Sequence, residues 1–328
     1  MANDDLLGFD IGGTKCAVVL GRATADGACG KVAAGVEIRD RLVFATEGVD
    51  STLERLEADA RELMRRHGAA PAALGISCGG PLDSARGVIL GPPNLPGWDE
   101  VPIVRRFEEA LGMPARLQND ANACALAEWR WGAGRGTRHM IFLTFGSGFG
   151  AGLILNGQLY SGACDLAGEI GHVRLERFGL AGYGKHGSVE GFLGGRSIAR
   201  LGQDAVRRRR QRGETVAFCP TPADLPTLTA KAIFDAARAG EPVALEVMET
   251  VGRQLGRALA ILLDLLNPEA IVIGSIYVRA GDLLWPLTER VLREEALPQT
   301  LAACRILPAA LGERLGDYAA LSVAAGVL

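Results

Sequence analysis

Two stretches of the chain share one pattern: an apolar run, a polar residue, a turn almost without side chains, then a second apolar run. The first is LLGFDIGGTKCAVVLG at residues 6–21 and the second is IFLTFGSGFGAGLILNG at residues 141–157. Each reads as two strands joined by a glycine-rich turn. Helical periodicity takes over at 51–67, where Leu53, Leu56, Ala60, Leu63 and Met64 share a face and Gly68 is placed to end the helix. A longer amphipathic helix is predicted from Pro242 to Leu266, with apolar positions at 244, 247, 248, 251, 255, 258, 259 and 262. It stops at Asn267–Pro268, and the strand AIVIGS follows at once. Between these landmarks lie a short buried strand, ALGIS, running into CGGPLDS, and a Pro/Gly loop, GPPNLPGW, at 91–98. Pro102 opens a helix that runs to Gly112, and Asn119 and Asp120 stand at the mouth of another. Residues 156–187 read as irregular, with a helix starting near Ser188.

At 328 residues the chain is long enough for two domains, each with its own core, and no low-complexity linker appears, so any two domains must abut through a hinge. The net charge of −3 provides no global field for nucleic acid or a membrane surface. The segment VRRRRQRG at 206–213 is a compact basic run, but it lacks interleaved aromatics and reads as the solvated end of a helix. The N-terminus carries acids where a signal peptide needs cations, and the most apolar window is interrupted by Asp264, Asn267 and Pro268. Seven cysteines at wide, irregular spacing predict reduced thiols and a cytoplasmic protein.

The glycine turns carry the chemistry. Without Cβ atoms, successive backbone N–H groups can converge on one spot and bind an anion. Gly12 and Gly13 in the first turn, and Gly146 and Gly148 in the second, suit two such nests, with Thr144 and Ser147 supplying hydroxyls. One turn alone reads better as a plain hairpin; its recurrence favours a polyphosphate ligand. Asp10 does not belong in a pure phosphate nest. A carboxylate beside phosphates is expected to act through a divalent cation, commonly Mg²⁺ with intervening water. Thr14 and Lys15 add a hydroxyl and a counter-charge within the same six residues.

DIGGTK, GGPLD, PPNLPGW, NDANACALAE, LTFGSGFGAGLILNG, AGEIGH and NPEAIVIGS occur in this order. Over nearly its whole length the chain therefore resembles the family of repressors, open reading frames and kinases (ROK), within the actin–hexokinase superfamily. The resemblance implies two α/β, RNase H-like lobes around an interdomain cleft. One lobe would take residues 1–118 with about 314–328, and the other 119–313. It further implies an ATP- and Mg²⁺-dependent kinase that phosphorylates the primary hydroxyl of a hexose, with glucose as default acceptor. N-acetylmannosamine, N-acetylglucosamine, fructose, allose or a cyclitol remain open, as does a non-catalytic sugar-binding protein. The motif near Gly274 would lie on the adenosine side. Homodimerisation is a further family expectation.

Phosphoryl transfer to an alcohol needs a base, and Asp120 is the candidate. At a helix start it could equally serve as an N-cap, and the helix dipole would favour its ionised form. Asn119 offers a donor and acceptors to sugar hydroxyls. By the resemblance, Asn119, Glu169, His172 and Glu190 bind the pyranose, and GGPLD and PPNLPGW contribute Gly80 and Asn94. Many relatives hold a structural zinc through that histidine and three cysteines of a CxCGxxGCxE segment. Here Ala181, Tyr183 and Ser188 stand where the thiols would be, so no zinc is expected. Glycine turns and packing would order the loop instead, with the Tyr183 ring filling the metal's space. Ser147 stands where Thr is frequent. A repressor needs a DNA-binding module ahead of DIGGTK, and the nine residues before Asp10 leave no room for one; no nucleic-acid or membrane partner is expected.

Overall fold

The structure is a computed structural model that describes residues 4–24 and 35–327. Cys29 lies outside the described residues, and the other six cysteines are free. The chain divides into two compact units. The first comprises Met1–Phe142, Gly152–Ala167 and Ala310–Leu328, and the second Leu143–Ala151 and Gly168–Ala309. The expected boundary at 118/119 falls within the first of these units.

In the first unit, β1 (Asp5–Ile11) and β2 (Lys15–Thr24) form a hairpin extended by β3 (Gly35–Ala45). Then come α1 (Val49–His67), β4 (Ala73–Cys78), the short pair β5 (Leu82–Asp83) and β6 (Val88–Ile89), and α2 (Ile103–Leu111). The segment closes with β7 (Ala115–Asn119) and α3 (Asp120–Trp131). The sheet order is β3-β2-β1-β4-β7, with β1, β4 and β7 parallel. LLGFDI is apolar on both faces because both faces are covered. Leu7, Phe9 and Ile11 enter a core with Leu53, Leu56 and Leu63 of α1 and Phe107 of α2. The opposite face, with Leu6, Ala17 and Val19, receives Leu321 and Ala324 of the last helix.

The chain continues through β8 (Met140–Phe145), β9 (Phe149–Leu155) and β10 (Gln158–Tyr160), then a 3-10 turn at Ile170–His172. A small hairpin, β11 (Ala181–Gly182) and β12 (Lys185–His186), leads to α4 (Val189–Phe192) and α5 (Gly195–Gln211). Next are α6 (Ala230–Arg238), α7 (Pro242–Leu266), β13 (Ala270–Ile273), α8 (Ile276–Glu295), α9 (Pro298–Ala303) and β14 (Arg305–Pro308). The second sheet has the order β10-β9-β8-β13-β14. The periodic run at 242–266 is one helix, ended by Asn267 in the left-handed region at φ 42°. Gly252 and Gly256 let α8 approach closely, since a Cβ at either would meet Leu287 or Val291. The basic run ends α5, and its arginines pair with Asp204, Glu214 and Glu246. No helix among the described residues is long and apolar enough to cross a membrane.

The last helix, α10 (Leu315–Ala325), belongs to the first unit. Its Ala320 and Ala324 press against β1 and β4 where Gly8 and Gly75 have no side chain to obstruct them. Glu128, fully buried in α3, accepts hydrogen bonds from the N–H groups of Ala133, Ala310 and Leu311 at 2.8, 3.2 and 2.9 Å. It thereby ties the segment leading into α10 to α3.

Candidate functional site

The three parallel strands of the first unit end together. Ile11 pairs with Cys78, and Cys78 with Asn119. The loops beyond these ends carry Gly12–Thr14, Gly79–Gly80 and Asp120, at the carboxyl edge where α/β sheets bind ligands. In the first turn the N–H of Gly12 donates to the Lys15 carbonyl at 3.1 Å, and the Thr46 hydroxyl donates to the Gly12 carbonyl at 2.5 Å. Gly13 is required by contact: a Cβ there would collide with the carbonyl oxygen of Asn94. The PPNLPGW loop is thus seated on the first glycine turn. A Cβ on Gly80 would lie 3.2 Å from the Asn119 amide nitrogen, and one on Gly79 would lie 3.6 Å from that of Asn94. The first unit therefore gathers Asp10, Gly12, Gly13, Thr14, Lys15, Gly80, Asn94, Asn119 and Asp120 at one sheet edge.

Of the two roles open to Asp120 at the start of α3, the N-cap is not the one it fills. Asn119 is the N-cap: the Asn119 Oδ1 accepts from the N–H of Ala121 at 3.0 Å. Asp120 occupies the first helical position, with Oδ1 2.8 Å from the same N–H. The capping oxygen of Asn119 is consequently engaged, and its amide nitrogen is the group left to face a ligand. Nor does the helix start set the charge of Asp120. The carboxylate is reachable by solvent, but protein displaces most of the water around it. That desolvation raises its pKa above the usual carboxylate range, while the N–H groups of Ala121 and Asp120 pull the other way. Burial likewise pushes Asp10 up to about 6, helped by the charges of Asp317 and Asp120 and opposed by Arg41 and Lys15.

Asp317 escaped the sequence reading. It lies in the first turn of α10, is 1% exposed, and pairs with Arg41 at 2.8 Å and Arg314 at 3.7 Å. Burial raises its carboxyl, and the two arginines oppose the rise. Nothing in GDYAAL marks such a role; an acid in a first helical turn is ordinary. Gln118 is a second such residue, its Oε1 accepting from the N–H of Asn119 at 2.8 Å and from Asn122 at 3.1 Å.

The second unit builds its own cluster around the turn between β8 and β9. The N–H of Gly146 donates to the Gly148 carbonyl at 3.1 Å, and the N–H of Gly195 to the Gly146 carbonyl at 2.7 Å. Thr144 precedes this turn and Ser147 lies within it. The N–H of Gly274 donates to Leu143 at 2.9 Å, and the next residue, Ser275, has φ 50° and sits 3.7 Å from where a Gly146 Cβ would be. AGEIGH runs against β9: the N–H of Ala151 donates to Gly168 at 2.9 Å, and a Cβ on Gly168 or Gly171 would strike the carbonyls of Ala151 or Phe149. Glu169 and His172 flank this contact and are exposed. Glu190 Oε2 accepts from the N–H of Phe149 at 3.2 Å and would touch any Cβ placed on Gly148. Burial raises Glu190's carboxyl, while the Phe149 bond, Arg196 and His172 lower it. Thr144, Gly146, Ser147, Gly148, Glu190 and Gly274 thus share one neighbourhood, with Glu169 and His172 at its margin.

The 181–190 loop is more regular than expected. Tyr183 (φ 48°) and Gly184 (φ 71°) form a two-residue turn of the type favoured in hairpins, closing β11 on β12. The N–H groups of Leu175 and Glu176 donate to the Gly187 carbonyl at 2.9 and 3.1 Å. Ser188, fully buried, caps α4 by accepting from the N–H of Gly191 at 3.2 Å, which fixes the turn carrying Glu190. Tyr183 is 65% exposed and its ring fills no internal space, contrary to expectation.

Among the described residues no cluster of three acidic, histidine or cysteine side chains could hold a metal directly; a divalent cation suits Asp10 as a single acid acting through water, since the charges of Asp317 and Asp120 press on it and Arg41 and Lys15 oppose them. The donors at 181–190 do not fit a tetrahedral zinc, since Ala181 offers none and the Ser188 hydroxyl is committed to α4.

The ROK family profile matches residues 6–325. A glucokinase of Thermotoga maritima is 32% identical over 321 residues, spanning 97% of this chain and 96% of its own. The ROK hexokinase of Thermus thermophilus superposes with a TM-score of 0.76 at 30% identity, covering 98% of this chain and 97% of the other. A ROK family glucokinase of Streptomyces griseus, solved in complex with glucose and AMPPNP, gives a TM-score of 0.76 at 29% identity, covering 98% and 99%.

Proposed function

Because the chain belongs to the ROK family and has the α/β fold of its hexokinases, we propose that it is an ATP-dependent sugar kinase with glucose as acceptor. The observation that carries the reading is the state of Asp120: Asn119 is the N-cap, and although one Asp120 oxygen also accepts from the Ala121 N–H, the carboxylate stays reachable by solvent and close enough to Asp10 to act on its charge. Glucokinases about 30% identical over nearly the whole length support the same activity.

In this reading Asp120 accepts the proton of the sugar's primary hydroxyl as that oxygen bonds to the γ-phosphorus. The bond from phosphorus to the bridging oxygen breaks, its electron pair leaves with ADP, and Asp120 returns the proton to water. The amides of Gly12 and Gly13, with Thr14 and Lys15, bind phosphate. Thr144, Gly146, Ser147 and Gly148 are likewise phosphate-binding, with Gly274 on the adenosine side. Asn94, Asn119, Glu169, His172 and Glu190 orient the sugar, the Gly80 backbone leaving room beside Asn119. Asp10 is the residue that would hold Mg²⁺ through water; when bound, the ion neutralises charge that develops on the phosphates. The 181–190 loop works without zinc, and the protein acts as a homodimer.

A coupled assay of ADP release against glucose, fructose, allose, N-acetylmannosamine, N-acetylglucosamine and inositol tests this directly. Glucose is expected to give the highest kcat/KM, with phosphate on the 6-oxygen by NMR. No turnover with any acceptor, together with measurable sugar binding, would convert the protein to a sugar-binding member of the family.

A further inference from the structure

The face of the sheet covered by α10 holds an arrangement that phosphate and sugar binding do not account for. Directly opposed residues of neighbouring strands share a face. One row is Gly8, Val19 and Arg41; the next is Asp10, Ala17 and Val43. Arg41 therefore stands one row from Asp10 on the side that α10 covers. Along α10, Gly316, Ala320 and Ala324 recur every four residues and form one ridge. Ala320 meets β1 at Gly8, and Ala324 meets β4 at Gly75. Gly316 lies over Asp10 so closely that a Cβ there would overlap the carboxylate. The residue next to this contact is Asp317, buried and gripped by Arg41 at 2.8 Å.

We propose that Asp317, clamped by Arg41 and Arg314, is a positioning residue for Asp10: it locks the first turn of α10 so that the Gly316 backbone walls in the Asp10 carboxylate and fixes where that acid presents itself to a divalent cation. A buried ion pair is a poor source of net stability, but removing one member leaves the other uncompensated. The pair is understood as a device for geometry, one that holds a helix end immobile against a functional acid. It also explains why a carboxylate is placed close to another that already repels it: the arginine needed to hold α10 requires a partner on α10.

The inference rests on reading Asp10 as the metal-side acid, and the test separates the two. Asp317→Asn, Gly316→Ala, Arg41→Ala and Arg41→Lys are compared with Asp10→Asn. Each is read by the Mg²⁺ concentration for half-maximal activity, by KM for sugar and for Mg·ATP, and by calorimetric binding of AMPPNP with and without Mg²⁺. Asp317→Asn and Gly316→Ala are expected to raise the Mg²⁺ midpoint and the KM for Mg·ATP by roughly tenfold, given the sensitivity of bound geometry to displacements of about 1 Å, while KM for sugar stays put. Arg41→Lys should restore most of what Arg41→Ala loses. If Asp10→Asn shifts the Mg²⁺ response but folded Asp317→Asn and Gly316→Ala do not, the positioning role is wrong and the reading of Asp10 survives. If Asp10→Asn leaves the Mg²⁺ response unchanged, both fall. A loss of melting temperature in the Asp317 and Gly316 variants with wild-type Mg²⁺ response would also overturn the proposal, reducing the pair to ordinary packing.

Discussion

Glu190 is bonded at the edge of the second glycine turn: its Oε2 accepts from the N–H of Phe149, the residue that opens β9, at 3.2 Å. An acid assigned to the sugar therefore also steadies the strand that leaves the glycine turn. Glu190→Gln keeps the shape but weakens an ionic hydrogen bond, and bonds to charged groups contribute about 1.5–3 kcal/mol. The expected result is a fall in kcat/KM for sugar of roughly ten- to a hundredfold, with a smaller rise in KM for ATP. A variant that changes sugar kinetics and leaves KM for ATP untouched would show that the Phe149 bond carries no coupling.

Asp120→Asn should lower kcat by about three orders of magnitude, the scale of a lost general base, while calorimetry finds ATP binding unchanged. The wild-type enzyme should also lose activity on the acid side at a higher pH than an ordinary carboxylate would dictate. Desolvation raises Asp120 above the ordinary carboxylate range, and burial raises Asp10 to about 6, so Asp10 takes up its proton as pH falls toward that value and Asp120 does so earlier than a free carboxylate. A kcat/KM profile flat down to pH 5 would contradict this.

The parts legible in the sequence are those whose pattern is local. The two glycine turns, the 242–266 helix and the Asn119–Asp120 pair all announce themselves within about twenty residues, because turn chemistry and helical period act over short range. What escaped depends on distant partners. β3 is an edge strand whose Glu37, Arg39, Asp40 and Arg41 hide its alternation, and such charges are how edges avoid pairing with other chains. The β11–β12 hairpin is two residues per strand and has no period to read. Asp317 acquires its meaning only when α10 folds back, hundreds of residues later, against β1 and β3. Asn119 and Asp120 were found together, but which of them caps the helix is a matter of side-chain geometry.

The 181–190 loop should keep its function under conditions that strip zinc. Exhaustive chelation followed by return of Mg²⁺ is expected to restore full activity, and metal analysis of the active protein to find no stoichiometric zinc. The loop should instead be sensitive to backbone changes. Gly187→Ala drives a Cβ into the Glu176 carbonyl at φ 70°, so it should raise KM for sugar through the displaced Glu190 turn. Recovery of activity only after zinc is added back would refute this account of the loop.

Asp10→Asn should make the metal-free protein more stable while disabling it. The carboxyl of Asp10 lies at about 6 in the folded chain against 3.8 for the ordinary group. A carboxylate raised in this way is a cost of folding wherever both states are ionised, hence at pH 7. As pH falls below about 6 the folded state takes the proton first and the cost shrinks; below 3.8 both states are protonated and it vanishes. The shift corresponds to at most roughly 3 kcal/mol at pH 7, shared with the repelling carboxylates of Asp317 and Asp120. Asp10→Asn should therefore raise the melting temperature by a few degrees at pH 7, with the gain over wild type narrowing as pH approaches 4. Saturating Mg·ATP should reverse the order, since the cation stabilises only the chain that keeps the acid. Thermal melts of both proteins from pH 4 to 8, with and without Mg·ATP, provide the check. A lower melting temperature for Asp10→Asn at pH 7 without metal would mean that the acid is structurally favourable where it stands.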